Sequence, residues 1–132
     1  MTSYLTRDAI LEIADIQYED VEVPEWGGTV RVRGLSGQER DAFEESILDQ
    51  RGKKTTVRMA NLRARLASLS VVDDKGQRLF GDADIRALGR KSAAALQRVF
   101  NAAQRLSGIS DQDVEELAKN SDDGQNGDSI SD

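Results

Sequence analysis

The sequence predicts an α+β fold: an N-terminal β-hairpin, a mainly helical body and a disordered acidic C-terminal tail. Three observations predict it. First, Val21, Val23, Val30 and Val32 alternate with polar residues, the period of half-buried strands. Second, apolar residues recur three and four apart in Met59, Leu62, Leu66 and Leu69, and again in Leu96, Val99, Phe100, Ala103 and Leu106. Those are stripes of amphipathic helices. Third, from Asn120 to Asp132 the only apolar residue is Ile130, too little to offset the entropy of ordering. Residues 1–119 are therefore expected as a single folded domain and 120–132 as the tail.

The elements are taken in chain order. Thr6 to Ile16 holds Ile10, Ile13 and Ala14 at helical spacing, with Thr6 placed to cap. The hairpin is expected at about 18–34. Pro24 ends its first strand, and Gly27-Gly28 supplies the positive φ of a tight connection. Asp20 and Glu22 on one strand face Arg31 and Arg33 on the other. Ser36-Gly37-Gln38-Glu39 has capping-box spacing and starts a helix over about 36–50. After the polar break Arg51-Gly52-Lys53-Lys54, a second helix is expected at about 55–70. Val71-Val72, an Asp73-Asp74-Lys75-Gly76 turn and Arg78-Leu79-Phe80 form a tiny hairpin. Asp82 caps a short helix over about 82–89, closed by Gly89. Further helices are expected at about 92–107, started by Ser92 and ended by Gly108, and at about 110–119.

Composition narrows function. The 132 residues contain no Cys and no His, which excludes disulfides, thiolate nucleophiles and imidazole bases and removes the commonest zinc ligands. No apolar run is long enough to span a bilayer and no leader-like start is present, so a soluble cytoplasmic chain is expected. The net charge of −6 is uneven. Residues 110–132 carry eight acids against Lys119, a net −7, leaving the body at +1. Such a tail repels nucleic acid and keeps a chain dispersed.

Candidate motifs resolve mostly into ordinary structure. The basic stretch Arg51–Arg65 contains no aromatic residue for base stacking and reads as a solvated face. Asp73-Asp74 and Asp82-Ala83-Asp84 lack the calcium-loop pattern and read as turn and cap chemistry. No dinucleotide or phosphate-loop glycine pattern occurs. No catalytic, cofactor-binding or metal-binding residue is assigned. Trp26, alone at a hairpin turn, is either a core filler or an interface anchor. The apolar faces built on Leu62, Leu66, Leu69 and on Leu96, Val99, Phe100 are the other candidate partner-binding residues, although most of them are needed for the core.

The stretch Val21-Glu22-Val23-Pro24-Glu25-Trp26-Gly27-Gly28-Thr29-Val30-Arg31-Val32-Arg33, then Leu35-Ser36-Gly37-Gln38-Glu39-Arg40-Asp41, resembles the opening of tail assembly chaperones from siphovirus-type bacteriophages of actinobacterial hosts. Val72-Asp73-Asp74-Lys75-Gly76-Gln77-Arg78-Leu79-Phe80, Asp84-Ile85-Arg86-Ala87-Leu88-Gly89 and Leu117-Ala118-Lys119-Asn120-Ser121 are similar too. The resemblance implies a non-enzymatic binding protein without cofactors. Its implied partner is the tape measure protein, kept soluble until tail tube subunits polymerise around it. A longer form of the chain, made by ribosomal frameshifting near the end of the shorter one, is also implied. The tail tube protein and further copies of the chain are additional candidate partners. Host cytoplasm is the implied location, with absence from the finished virion, no membrane and no nucleic acid. A minor tail or tail completion protein, and a small nucleic-acid-binding regulator acting through Arg51–Arg65, are the alternatives the sequence leaves open.

Overall fold

A computed structural model describes residues 2–51, 54–57, 60–110, 112, 113 and 116. Two antiparallel strands, β1 (Tyr18–Val23) and β2 (Gly28–Arg33), form the expected hairpin. Its register sets Val21 opposite Val30 and Glu19 opposite Val32, so one face carries the valines. Val23 and Val32 on that face are fully buried. The turn is a 3-10 turn, Pro24–Trp26, closed by Gly27 at φ +70°. A third short strand, β5 (Val71–Val72), pairs antiparallel with β2. The tiny hairpin after it is present as a bridge from Val72 to Arg78, and its turn lets the Asp73 carboxylate accept from the backbone N–H of Lys75 and Gln77 at 2.8 and 2.9 Å.

Helix α1 (Arg7–Glu12) precedes the hairpin and is shorter than the sequence pattern suggests. Thr6 does cap it, accepting from the Ala9 N–H at 3.2 Å. Helix α2 spans Gly37–Ile47 behind a complete capping box between Ser36 and Glu39. Two expectations are corrected here. The helix of about 36–50 stops at Ile47, because Leu48 turns extended and opens strand β3 (Leu48–Arg51). The helix of about 55–70 does not begin there, because β4 (Lys54–Val57) pairs back on β3. Helix α3 covers only Leu62–Ser70, entered through Asn61 at φ +60°, a left-handed conformation that breaks any helix running in from upstream.

Helix α4 is one turn, Ile85–Leu88, preceded by a 3-10 turn at Asp82–Asp84. Asp82 is not its cap. Asp84 instead reaches back to accept from the Gly81 N–H at 2.9 Å, while Asp82 lies 3.7 Å from Arg78. Helix α5 (Ala93–Ser107) matches the expected stripe, capped by Ser92 and ended by Gly108 at φ +71°. The expected helix of about 110–119 and the tail 120–132 fall mainly outside the described residues. Within them, Ser110 and Asp113 exchange the hydrogen bonds of a helix start at 2.9 and 3.0 Å.

The core lies between the valine face of the sheet and helices α2, α3 and α5. Phe43 and Ile47 from α2, Leu62 and Leu66 from α3, and Leu96, Val99 and Phe100 from α5 all enter it. Full burial of side chains of this size stabilises by about 1.5–3 kcal/mol each.

Candidate functional site

Helix α5 holds the hairpin at both ends through charge pairs. Arg98 bonds Glu25 in the turn, with Nε at 3.0 Å from Oε1. Two helical turns later Arg105 grips Glu19 with both guanidinium nitrogens, at 3.0 and 2.7 Å. A spacing of seven places both arginines on one face of the helix. Glu25 is held below the usual carboxylate range chiefly by the Arg98 hydrogen bond. On the outer face of the sheet, Arg31 bonds Asp20 at 3.0 Å as the hairpin pattern predicts. Arg33 does not join that cross-strand set; it turns to Glu39 at the start of α2 instead.

Trp26 sits in the turn, next in the chain to the clamped Glu25. It is half-buried and packs against the core. Its indole Nε1 is buried and meets no hydrogen-bond partner among the described residues. The apolar stripes chosen from the sequence split by exposure. Leu62, Leu66, Leu96, Val99 and Phe100 face inward and are buried. Leu69 is half-exposed. Trp26 and Leu69 are thus the members of that set with appreciable surface left to meet a partner. The structure does not bring them into one patch: Trp26 belongs to the hairpin turn and Leu69 to a groove.

That groove, of about 520 Å³, runs between α2, α3 and α4. Leu69 and Ile85 supply its apolar surface, and Arg65, Arg78 and Arg86 its positive charge, with Asp82 the acid among its lining residues. Arg78 is anchored by donating from Nε to the Ser68 carbonyl at 3.0 Å. Sequence reading missed this feature. Its one legible sign is that Arg65 and Leu69 lie four apart and share a helix face. The basic stretch Arg51–Arg65 does not form a single charged face among its described side chains. Arg63 bonds Gln97 at 2.5 Å and lies over the Phe100 ring at 5.7 Å from its centre, while Arg65 turns into the groove.

Among the described residues no group of carboxylates is arranged to hold a metal ion, and no helix is long and apolar enough to cross a membrane. A family model described as phage tail assembly chaperone matches residues 6–120.

The chain belongs to the phage tail assembly chaperone family.

No curated protein and no solved structure matches it. Membership covers the hairpin, helices α1 to α5 and the groove, so these surfaces belong to the family's part of the chain. Tail assembly chaperones are not a known enzyme family. The role of this one is in building the phage tail.

Proposed function

We propose that this tail assembly chaperone binds the tape measure protein in the host cytoplasm and keeps it soluble until tail tube subunits polymerise around it. It acts by binding, without a cofactor, and is left out of the mature virion. The observation that carries the reading is the family match over residues 6–120. Surface chemistry supports it. Trp26 and Leu69 retain partly open apolar surface, of the kind that masks the apolar stripe of a long helical chain. Leu62, Leu66, Leu96, Val99 and Phe100 brace those positions from within the core. The acids between Asp111 and Asp132 keep the complex dispersed by like-charge repulsion.

A second, longer product is part of the proposal. The family match ends at Asn120, where the sequence becomes rich in Ser and Asp. Lys119-Asn120 is encodable as AAA-AAC, the end of a slippery heptamer when an A precedes it. A slip there leaves residues 1–120 unchanged and exchanges only the residues beyond them. The shared body then holds the assembly together, and the extension serves the tape measure protein or the tail tube protein.

An antibody to the body tests both parts in infected cells. Precipitation before lysis should recover the tape measure protein, purified virions should lack the chaperone, and blots should show a long and a short band. Abundant protein in virions would make it a tail component instead. A single short band, with no overlapping downstream frame, would remove the two-product scheme.

A further inference from the structure

The groove beside α3 carries more positive charge than its own residues balance. Arg65, Arg78 and Arg86 line it against one carboxylate, Asp82, which lies 3.7 Å from Arg78. Arg78 is fixed by donating from Nε to the Ser68 carbonyl at 3.0 Å. The Arg65 Nε is buried and meets no hydrogen-bond partner among the described residues. A desolvated guanidinium without an acceptor is destabilising, and a carboxylate is the acceptor that suits it best. The same groove presents Leu69 and Ile85, both half-buried. It therefore fits a segment in which an apolar side chain is flanked by carboxylates.

The chain itself carries such a segment. Beyond Asn120 its only apolar residue is Ile130, with Asp128 two positions before it and Asp132 two positions after. In an extended segment, residues two apart share one side. Asp128, Ile130 and Asp132 then form one row, and Ser129 and Ser131 face away from it. The segment also reaches. Hydrogen bonds with Ser110, and more weakly the charge of Arg40 on α2, hold Asp113 below the usual carboxylate range, so Asp113 stands beside α2, a wall of the groove. Asp128 lies fifteen residues further on. An extended chain of that length spans about 50 Å, against about 35 Å for the width of a domain this size.

We propose that the groove between α2, α3 and α4 is occupied in the free protein by residues 128–132 of the same copy. Ile130 covers Leu69 and Ile85, and Asp128 and Asp132 accept from the arginines. Tethering gives the segment an effective concentration on the order of millimolar, so a few weak contacts hold it in place. The contact does not depend on the tape measure reading. It does give the two-product scheme a consequence: a slip at Lys119-Asn120 exchanges this segment and leaves the groove of the longer form open.

The test uses the full chain, without any partner. It contains no Cys, so Ser131→Cys provides a single site for a nitroxide, on the side away from the docking row. In the amide spectrum of the isotope-enriched protein, the nitroxide should broaden Leu69, Ile85 and Arg86, and reducing it should restore them. The amides of the hairpin turn, Glu25 to Gly28, should keep their intensity. Ile130→Asp and Arg86→Glu, each introduced into the labelled chain, should abolish the broadening. Arg86 is exposed and Ile130→Asp leaves every groove residue in place, so matching thermal melts should confirm folding. An enriched chain without nitroxide, mixed with an unenriched labelled one, should show no broadening, which assigns the contact to one copy. Groove amides at full intensity, or broadening spread equally over the hairpin turn, would overturn the proposal. So would broadening that survives either substitution or that passes between copies in the mixture.

Discussion

Arg33 at the end of β2 and Glu39 in the first turn of α2 are joined by two hydrogen bonds, one of them Nη1 to Oε1 at 2.8 Å. The same carboxylate accepts from the Ser36 N–H at 3.0 Å. One side chain therefore completes the helix start and fixes the angle at which the sheet hands the chain to α2.

This pairing makes stability depend on acid. The Arg33 hydrogen bonds, opposed by partial burial and helped by the Ser36 N–H, hold Glu39 down to about 2, from an ordinary 4.5. The unfolded chain binds this proton more tightly than the folded one, so the stabilisation is complete above the ordinary value and fades as pH falls towards 2. Glu39→Gln should cost about 1–3 kcal/mol at neutral pH. The gap between wild type and variant should close as pH drops from 4.5 to 2. Urea denaturation of both proteins across that range measures it; a gap that stays constant would show that the charge of Glu39 contributes nothing.

Gly34 is predicted to be intolerant of any side chain. A Cβ there would stand 2.5 Å from the Leu106 carbonyl oxygen, in the backbone of α5, and the neighbouring Leu35 N–H donates to Ser107 Oγ at 2.9 Å. Gly34→Ala should destabilise by about 1–3 kcal/mol, the usual range for overpacking. Gly28→Ala, where a Cβ meets open space, is the control and should change stability far less. Equal melting temperatures for the two variants would contradict the close approach of β2 and α5.

Trp26→Ala should lower stability by about 2–4 kcal/mol, at or below the range for fully buried aromatics, because Trp26 is half-buried against the core. Thermal unfolding checks this directly. An unchanged melting temperature would mean that the indole contributes only to a partner interface.

Much of this architecture was legible because local pattern and tertiary role coincide. The valines of the hairpin alternate, and Leu96, Val99, Phe100 and Ala103 form one stripe that is buried in the structure. Strands β3 and β4 were missed because Leu48-Asp49-Gln50-Arg51 shows no alternation and only Thr55-Thr56-Val57 is β-branched. The stripe from Met59 to Leu69 also sets the helix start too early, because the apolar spacing runs straight through Asn61, whose residue type tolerates the positive φ it adopts but does not require it. Arg33 was assigned to a strand partner when its nearest acid in space is Glu39, six residues on. The Glu19–Arg105 clamp spans 86 residues, and the groove joins three helices; neither leaves a local signature.

Under the proposed function, this chain holds the tape measure protein in solution. The most direct measurement is the soluble fraction of tape measure protein expressed alone and with the chaperone, in cells depleted of ATP after synthesis. The tape measure protein should be largely insoluble alone, become soluble with the chaperone, and elute with it as one complex whether or not ATP remains. Equal insolubility with and without the chaperone, or solubility gained with no complex between the two, would contradict it.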